Sequence, residues 1–218
     1  MGRERFEVLK KGVIKRKARR KIGLFIDGAG LDRATRRLDR KVDLSNLVKS
    51  LCSGIEPEVA RYYTLVPYED DARQFAFLDA VERAGLEVVV KRLPPKGVKR
   101  QVSMDVHIAC DLVGYAYGHF AEKQAAEEAK TQANREVNQP STSGTVPIIK
   151  EPKKPTSDEI LRIATVVCPS REISYSLHLS NAIGVETCLA DFGIYGNSDG
   201  WRGVDRWLDL STSETIWR

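Results

Sequence analysis

The run Ile22-Gly-Leu-Phe-Ile-Asp27-Gly-Ala-Gly30 is an apolar stretch that ends in a carboxylate followed by small residues. An Asp at the carboxyl end of a buried strand stands where open α/β sheets place their ligands. The glycines after it are expected to let the backbone turn and to leave the carboxylate accessible, an arrangement that suits a divalent cation. A second acidic stretch, Ser103-Met-Asp105-Val-His107-Ile-Ala-Cys-Asp111-Leu112, places two aspartates six residues apart. On a regular helix that spacing means about 120° of rotation and about 9 Å of rise, so both cannot ligate one ion. Asp105 in a first turn can point past the strand ends toward Asp27; the plainer role is a carboxylate that complements the helix macrodipole. Asp111 is left a neighbouring role, either orienting water, pairing with a base or anchoring the helix. His107, one turn before Asp111, is expected to be either its partner or a proton shuttle.

The elements that must hold these residues alternate along the chain. Strands are expected over 22–29, 59–66, 86–93, 160–168 and 185–192, from their apolar and β-branched runs and their Pro or Gly stops. Helices are expected over 43–51, capped by Asp43, over 70–84, ended by Gly85, from Asp105 through at least Tyr117, and over 173–183. Strands alternating with helices give an α/β fold with a mainly parallel sheet covered on both faces.

Composition bounds the rest. A chain of 218 residues with 42% hydrophobic content builds one substantial core. Its apolar runs are too short to cross a bilayer, and residues 1–21 lack the apolar core of a secretory signal. Cys52, Cys110, Cys168 and Cys188 lie far apart with no CxxC pair, which argues against zinc and a disulfide framework and for a reducing cytoplasm.

The net charge of +5 is unevenly spread. Ten Lys or Arg residues lie from Arg3 to Lys21, nine of them in a basic N-terminal tail over 1–20. A second cluster, Lys91, Arg92, Lys96, Lys99 and Arg100, precedes the acidic stretch; it is expected to meet the phosphates of a nucleic acid, against the plainer reading of a solvated loop. Residues 119–157 begin as an Ala, Glu, Lys and Gln helix extension and become a Pro, Ser, Thr and Lys-rich linker, an insertion that either recruits a protein partner or is an inert spacer. Two other phosphate chemistries fail. A dinucleotide fingerprint would need glycine at Arg33 and would suffer Asp27 beside its pyrophosphate; a haloacid-dehalogenase-type phosphatase would need a second Asp at Ala29.

Phe25-Ile-Asp-Gly-Ala-Gly-Leu31 resembles the FIDGANL opening of NYN domains of the LabA-like branch, in the PIN-like nuclease group. Tyr62-Tyr-Thr-Leu-Val-Pro-Tyr68, the stretch from Lys99 to Leu112, and Val204-Asp-Arg-Trp-Leu-Asp-Leu210 resemble that branch too. The resemblance runs in order over about residues 20–118 and 158–210. It implies one PIN-like, three-layer α/β/α domain built from 21–118 and 158–218. It also implies a carboxylate cluster that binds Mg²⁺ or Mn²⁺ and cleaves RNA phosphodiester bonds, with Asp27 and Asp105 at acidic positions and Asp111 at a second aspartate of the branch. Two departures stand out: Gly30 replaces an Asn, and Cys168-Pro-Ser-Arg-Glu-Ile173 replaces SGDSDF, so that two aspartates become Ser170 and Glu172. Glu172 is the oxygen ligand left to complete a set with Asp27 and Asp105. Three functions follow: a metal-dependent ribonuclease with a reduced acidic centre, a silent relative that binds RNA, or a scaffold that meets a protein partner through 119–157.

Overall fold

The computed structural model describes residues 19–69, 72–121, 160–193, 201 and 203–218. Six strands, β1 (Arg19–Asp27), β2 (Val59–Val66), β3 (Glu87–Arg92), β4 (Ile160–Val167), β5 (Glu186–Asp191) and β6 (Arg206–Asp209), form one sheet in the order β3-β2-β1-β4-β5-β6. Every strand pair is parallel. Helices α1 (Gly28–Arg37), α2 (Leu44–Cys52), α3 (Ala72–Arg83), α4 (Asp105–Ala116) and α5 (Ser174–Ala182) cover both faces, giving three layers.

The alternation of β1 explains the layering. Leu24 and Ile26 enter a core shared with Leu31 of α1, Leu47 of α2 and Val81 of α3. Phe25 enters the opposite core with Ile108, Leu112 and Tyr115 of α4 and Leu177 of α5. Both sides of the strand are therefore dry, as a parallel sheet under two helical layers requires. Tyr115 meets Phe25 edge to face at 5.8 Å and donates its hydroxyl to the Lys21 carbonyl at 2.8 Å, tying α4 to the strand that carries Asp27.

Three expectations need correction. The strand expected over 22–29 begins earlier, at Arg19 inside the stretch assigned to the basic tail, and stops at Asp27. The residues after it do not form a turn: they begin α1 at once, a helix that the sequence pattern did not announce. The last strand is β6, equally unannounced. The tail up to residue 18 and the 119–157 insertion from residue 122 lie outside the described residues. Among the described residues, no helix is long and apolar enough to cross a membrane.

Candidate active site at the carboxyl edge

The strand order reverses direction between β1 and β4: the chain builds outward to β3, then crosses back through α4 to lay β4 on the other side of β1. At such a switch point the connections diverge and leave a crevice beyond the carboxyl ends of the strands. Asp27 ends β1 there. Only 5% of it is exposed, and it serves as the N-cap of α1, with its Oδ1 accepting the Ala29 N–H at 3.0 Å. Burial pushes its carboxyl above the ordinary range, the N–H groups of Gly30 and Ala29 and the nearby Arg33 oppose that, and the charge of Asp105 adds to it. Asp105 reaches the same edge from the first turn of α4, where no side-chain bond caps the helix. The two aspartates singled out from the sequence thus come within electrostatic reach of one another from distant stretches of chain.

The glycines after Asp27 act by close packing, not by an unusual backbone. A Cβ on Gly30 would fall 1.9 Å from the Cys168 carbonyl oxygen and 3.0 Å from Asp27 Oδ2, and one on Gly28 would fall 2.5 Å from the Tyr62 ring. Gly30 is therefore matched to the end of β4 in this chain, and an Asn there has no room.

Cys168, one step past β4, adopts a left-handed backbone at φ 49°, a conformation that costs a residue with a Cβ and is held here by its surroundings. Its thiol is buried, and burial, followed by the neighbouring Asp191, pushes it well above the ordinary range, which disfavours the thiolate. Asp191 ends β5, accepts the Phe192 N–H at 2.7 Å and is also raised, first by burial; the Cys168 thiol bonds to it. Register aligns Asp191 with Asp209 of β6, so Asp27, Cys168, Asp191 and Asp209 end four neighbouring strands in a row. Sequence reasoning missed Asp191, although the signal was present: a carboxylate at the end of an apolar strand, the same cue that pointed to Asp27. Asp209 is a cap. Burial works to raise it, but Ser211 and the Gly193 N–H outweigh that and hold it below the ordinary range.

The other expected residues go elsewhere. Asp111 turns to the side of α4, where its Oδ2 accepts Arg61 Nη1 at 2.7 Å and the Tyr63 hydroxyl at 2.8 Å; it anchors the helix to β2. His107 does not bond to Asp111, and its Nδ1 is buried without a hydrogen-bond partner. Glu172 is exposed on a short 3₁₀ turn (Arg171–Ile173), where the Ser170 hydroxyl accepts its N–H at 3.2 Å. The end of β3 and the loop after it carry the cationic cluster along the same edge. Lys91 donates to the Ser103 carbonyl and Arg92 to that of Tyr68, both bracing the loop, while Lys96, Lys99 and Arg100 are exposed.

Among the described residues, no three His, Cys, Asp or Glu side chains stand together as a metal-holding group. Asp27 and Asp191 are two strands apart, about 10 Å between their backbones. What fits is the water-rich mode of Mg²⁺, which needs only one or two carboxylates and completes its shell with water and substrate phosphate. Asp27, which feels the charge of Asp105, and Asp105 itself are the two carboxylates at this edge that such a mode would draw on.

Known proteins resemble this chain in two ways. A structure of a protein of unknown function from Vibrio parahaemolyticus superposes with a TM-score of 0.62 at 12% identity, covering 94% of this chain and 100% of that one, a likeness of fold. Among curated proteins none matches. Residues 21–123, which run from β1 past the end of α4 and hold both Asp27 and Asp105, match the NYN domain, a domain of the PIN-like nuclease superfamily.

Proposed function

We propose that this protein hydrolyses RNA phosphodiester bonds with a divalent ion, Mg²⁺ or Mn²⁺, at the crevice between β1 and β4. The observation that carries this reading is that Asp27, which ends β1, and Asp105, which opens α4, stand at one edge of the sheet, with the charge of Asp105 felt at Asp27. These two carboxylates would hold the ion, which supplies Lewis acidity and a water of lowered pKa when bound. The chain's own groups do the rest. Asp27 is held in one orientation by the Ala29 N–H and by burial, so its carboxylate is set without reorganising. Asp111 acts at a distance: by tying α4 to Arg61 and Tyr63 it fixes where the helix starts, and so where Asp105 stands. Lys96, Lys99 and Arg100 take the flanking phosphates.

Binding without cleavage is the second reading, and Ser170 and Glu172 favour it. Ser170 is spent on capping its own turn and Glu172 is exposed, so neither adds a carboxylate beside Asp27.

The two separate in one experiment. The full chain incubated with end-labelled RNA and Mn²⁺ or Mg²⁺ is expected to shorten it, and chelation to stop it. Asp27→Asn and Asp105→Asn are each expected to abolish shortening while RNA binding at low salt persists. Salt-sensitive RNA retention with no shortening under either metal overturns the nuclease reading.

A further inference from the structure

A large groove belongs to neither carboxylate. It lies between α1 and α3, holds about 960 Å³, and opens at Gly28 and Ala29, directly after Asp27. Its size is at the upper end of small-molecule sites. Its floor is Tyr62 of β2, whose ring meets that of Phe77 of α3 edge to face at 5.9 Å. Tyr62 is only 4% exposed, yet its hydroxyl has no hydrogen-bond partner among the described residues, and it lies where a side chain on Gly28 would otherwise stand, 2.7 Å from that Cβ position. That hydroxyl is not sealed from solvent, so a polar atom of a ligand can reach it from the groove. Phe77 is 42% exposed, an aromatic face presented to the groove. Thr64 and Gln74 add neutral donors and acceptors, and Arg40, Lys41 and Arg218 stand along the wall.

We infer that this groove is a nucleoside subsite: it takes one base on the ring of Phe77, with Tyr62 and Gln74 bonding polar atoms of that base or its ribose. A ring for stacking, neutral polar groups and nearby cations are what a nucleotide needs. An anion alone is a poor fit, because Asp27 and Asp32 flank the Tyr62 hydroxyl. An RNA strand whose scissile phosphate lies at Asp27 would place its neighbouring base here. That last step rests on the nuclease reading, whereas binding of the nucleoside does not.

The test uses the full chain with two probes, fluorescein-labelled single-stranded RNA followed by anisotropy and adenosine monophosphate followed by calorimetry. Stacking of one base accounts for a change of about 5- to 150-fold. Phe77→Ala is therefore expected to weaken binding of both probes by about 10-fold or more, and Tyr62→Phe and Gln74→Ala by less, with melting curves confirming the fold. Where RNA is cleaved, Phe77→Ala raises KM and leaves kcat near wild type, the opposite of Asp27→Asn. Weakening confined to the mononucleotide assigns the groove to free nucleotides and overturns its place on the RNA path. Unchanged affinity of all three variants for both probes overturns the subsite. A wild-type chain that never cleaves, yet binds RNA in a Phe77-dependent way, overturns the nuclease reading alone.

Discussion

Asp27 and Asp191 are acids withheld from water at one edge of the sheet, each steadied by a neighbouring backbone N–H. Burial raises both above the ordinary carboxyl value of 3.8. The folded chain then holds these protons more tightly than the unfolded one. Their contribution to stability is full below that value and is lost as pH rises through the raised pKa. Asn at either position keeps an acceptor oxygen without the charge, and it caps a helix as well as Asp does. Asp27→Asn and Asp191→Asn are thus expected to melt above wild type near neutral pH in the presence of chelator. The advantage should fade as pH falls below about 4. Thermal melts across that range check it, and a lower melting temperature at neutral pH would contradict burial as the dominant cause. That Asp27 was legible and Asp191 was not reflects context. Asp27 is followed by Gly-Ala-Gly, which announced a special site, whereas Asp191 is followed by Phe192, which reads as core.

At the scale of elements, β1 passes into α1 without a loop, and the junction depends on two missing side chains. Gly30→Ala must move either the Cys168 carbonyl or the first turn of α1, since the added carbon would overlap that oxygen. A loss of about 1–3 kcal/mol is expected from such overpacking, measured by denaturant unfolding. Helix α1 was illegible because Gly28 and Gly30 carry the local signature of a turn, and because its apolar face is only Leu31, Ala34 and Leu38 among charged neighbours. Strand β6 escaped because four residues, Arg206–Asp209, are too few to display alternation. The existence of the long strands, though not the ends of β1, and the capped helix α2 are legible in the sequence. Their dry faces and the Asp43 cap, which accepts the Asn46 N–H at 2.9 Å, leave local signals that tertiary packing does not override.

At the scale of the whole molecule, cationic loop, carboxylates and groove share one end of the sheet because every strand points the same way. Charge on that loop governs how strongly a polyanion is held, not where it is cut. Replacing Lys96, Lys99 and Arg100 together with alanine is expected to weaken RNA binding at low salt. It should also flatten the dependence of log affinity on log salt by up to about 2, from about 0.7 for each phosphate no longer neutralised on a single strand. Titrations at several ionic strengths read that slope directly. Sequence order carries a further consequence. The middle strand, β1, pairs with β2 on one side but waits for β4, whose residues pair with it from Arg19↔Ile160 onward, on the other. A ribosome that has released residues 21–123 has therefore exposed both acids of the crevice, yet left one whole flank of β1 as bare amide and carbonyl groups. That half-built sheet invites edge-to-edge association, so the fragment bearing the two acids is not a unit that stands alone.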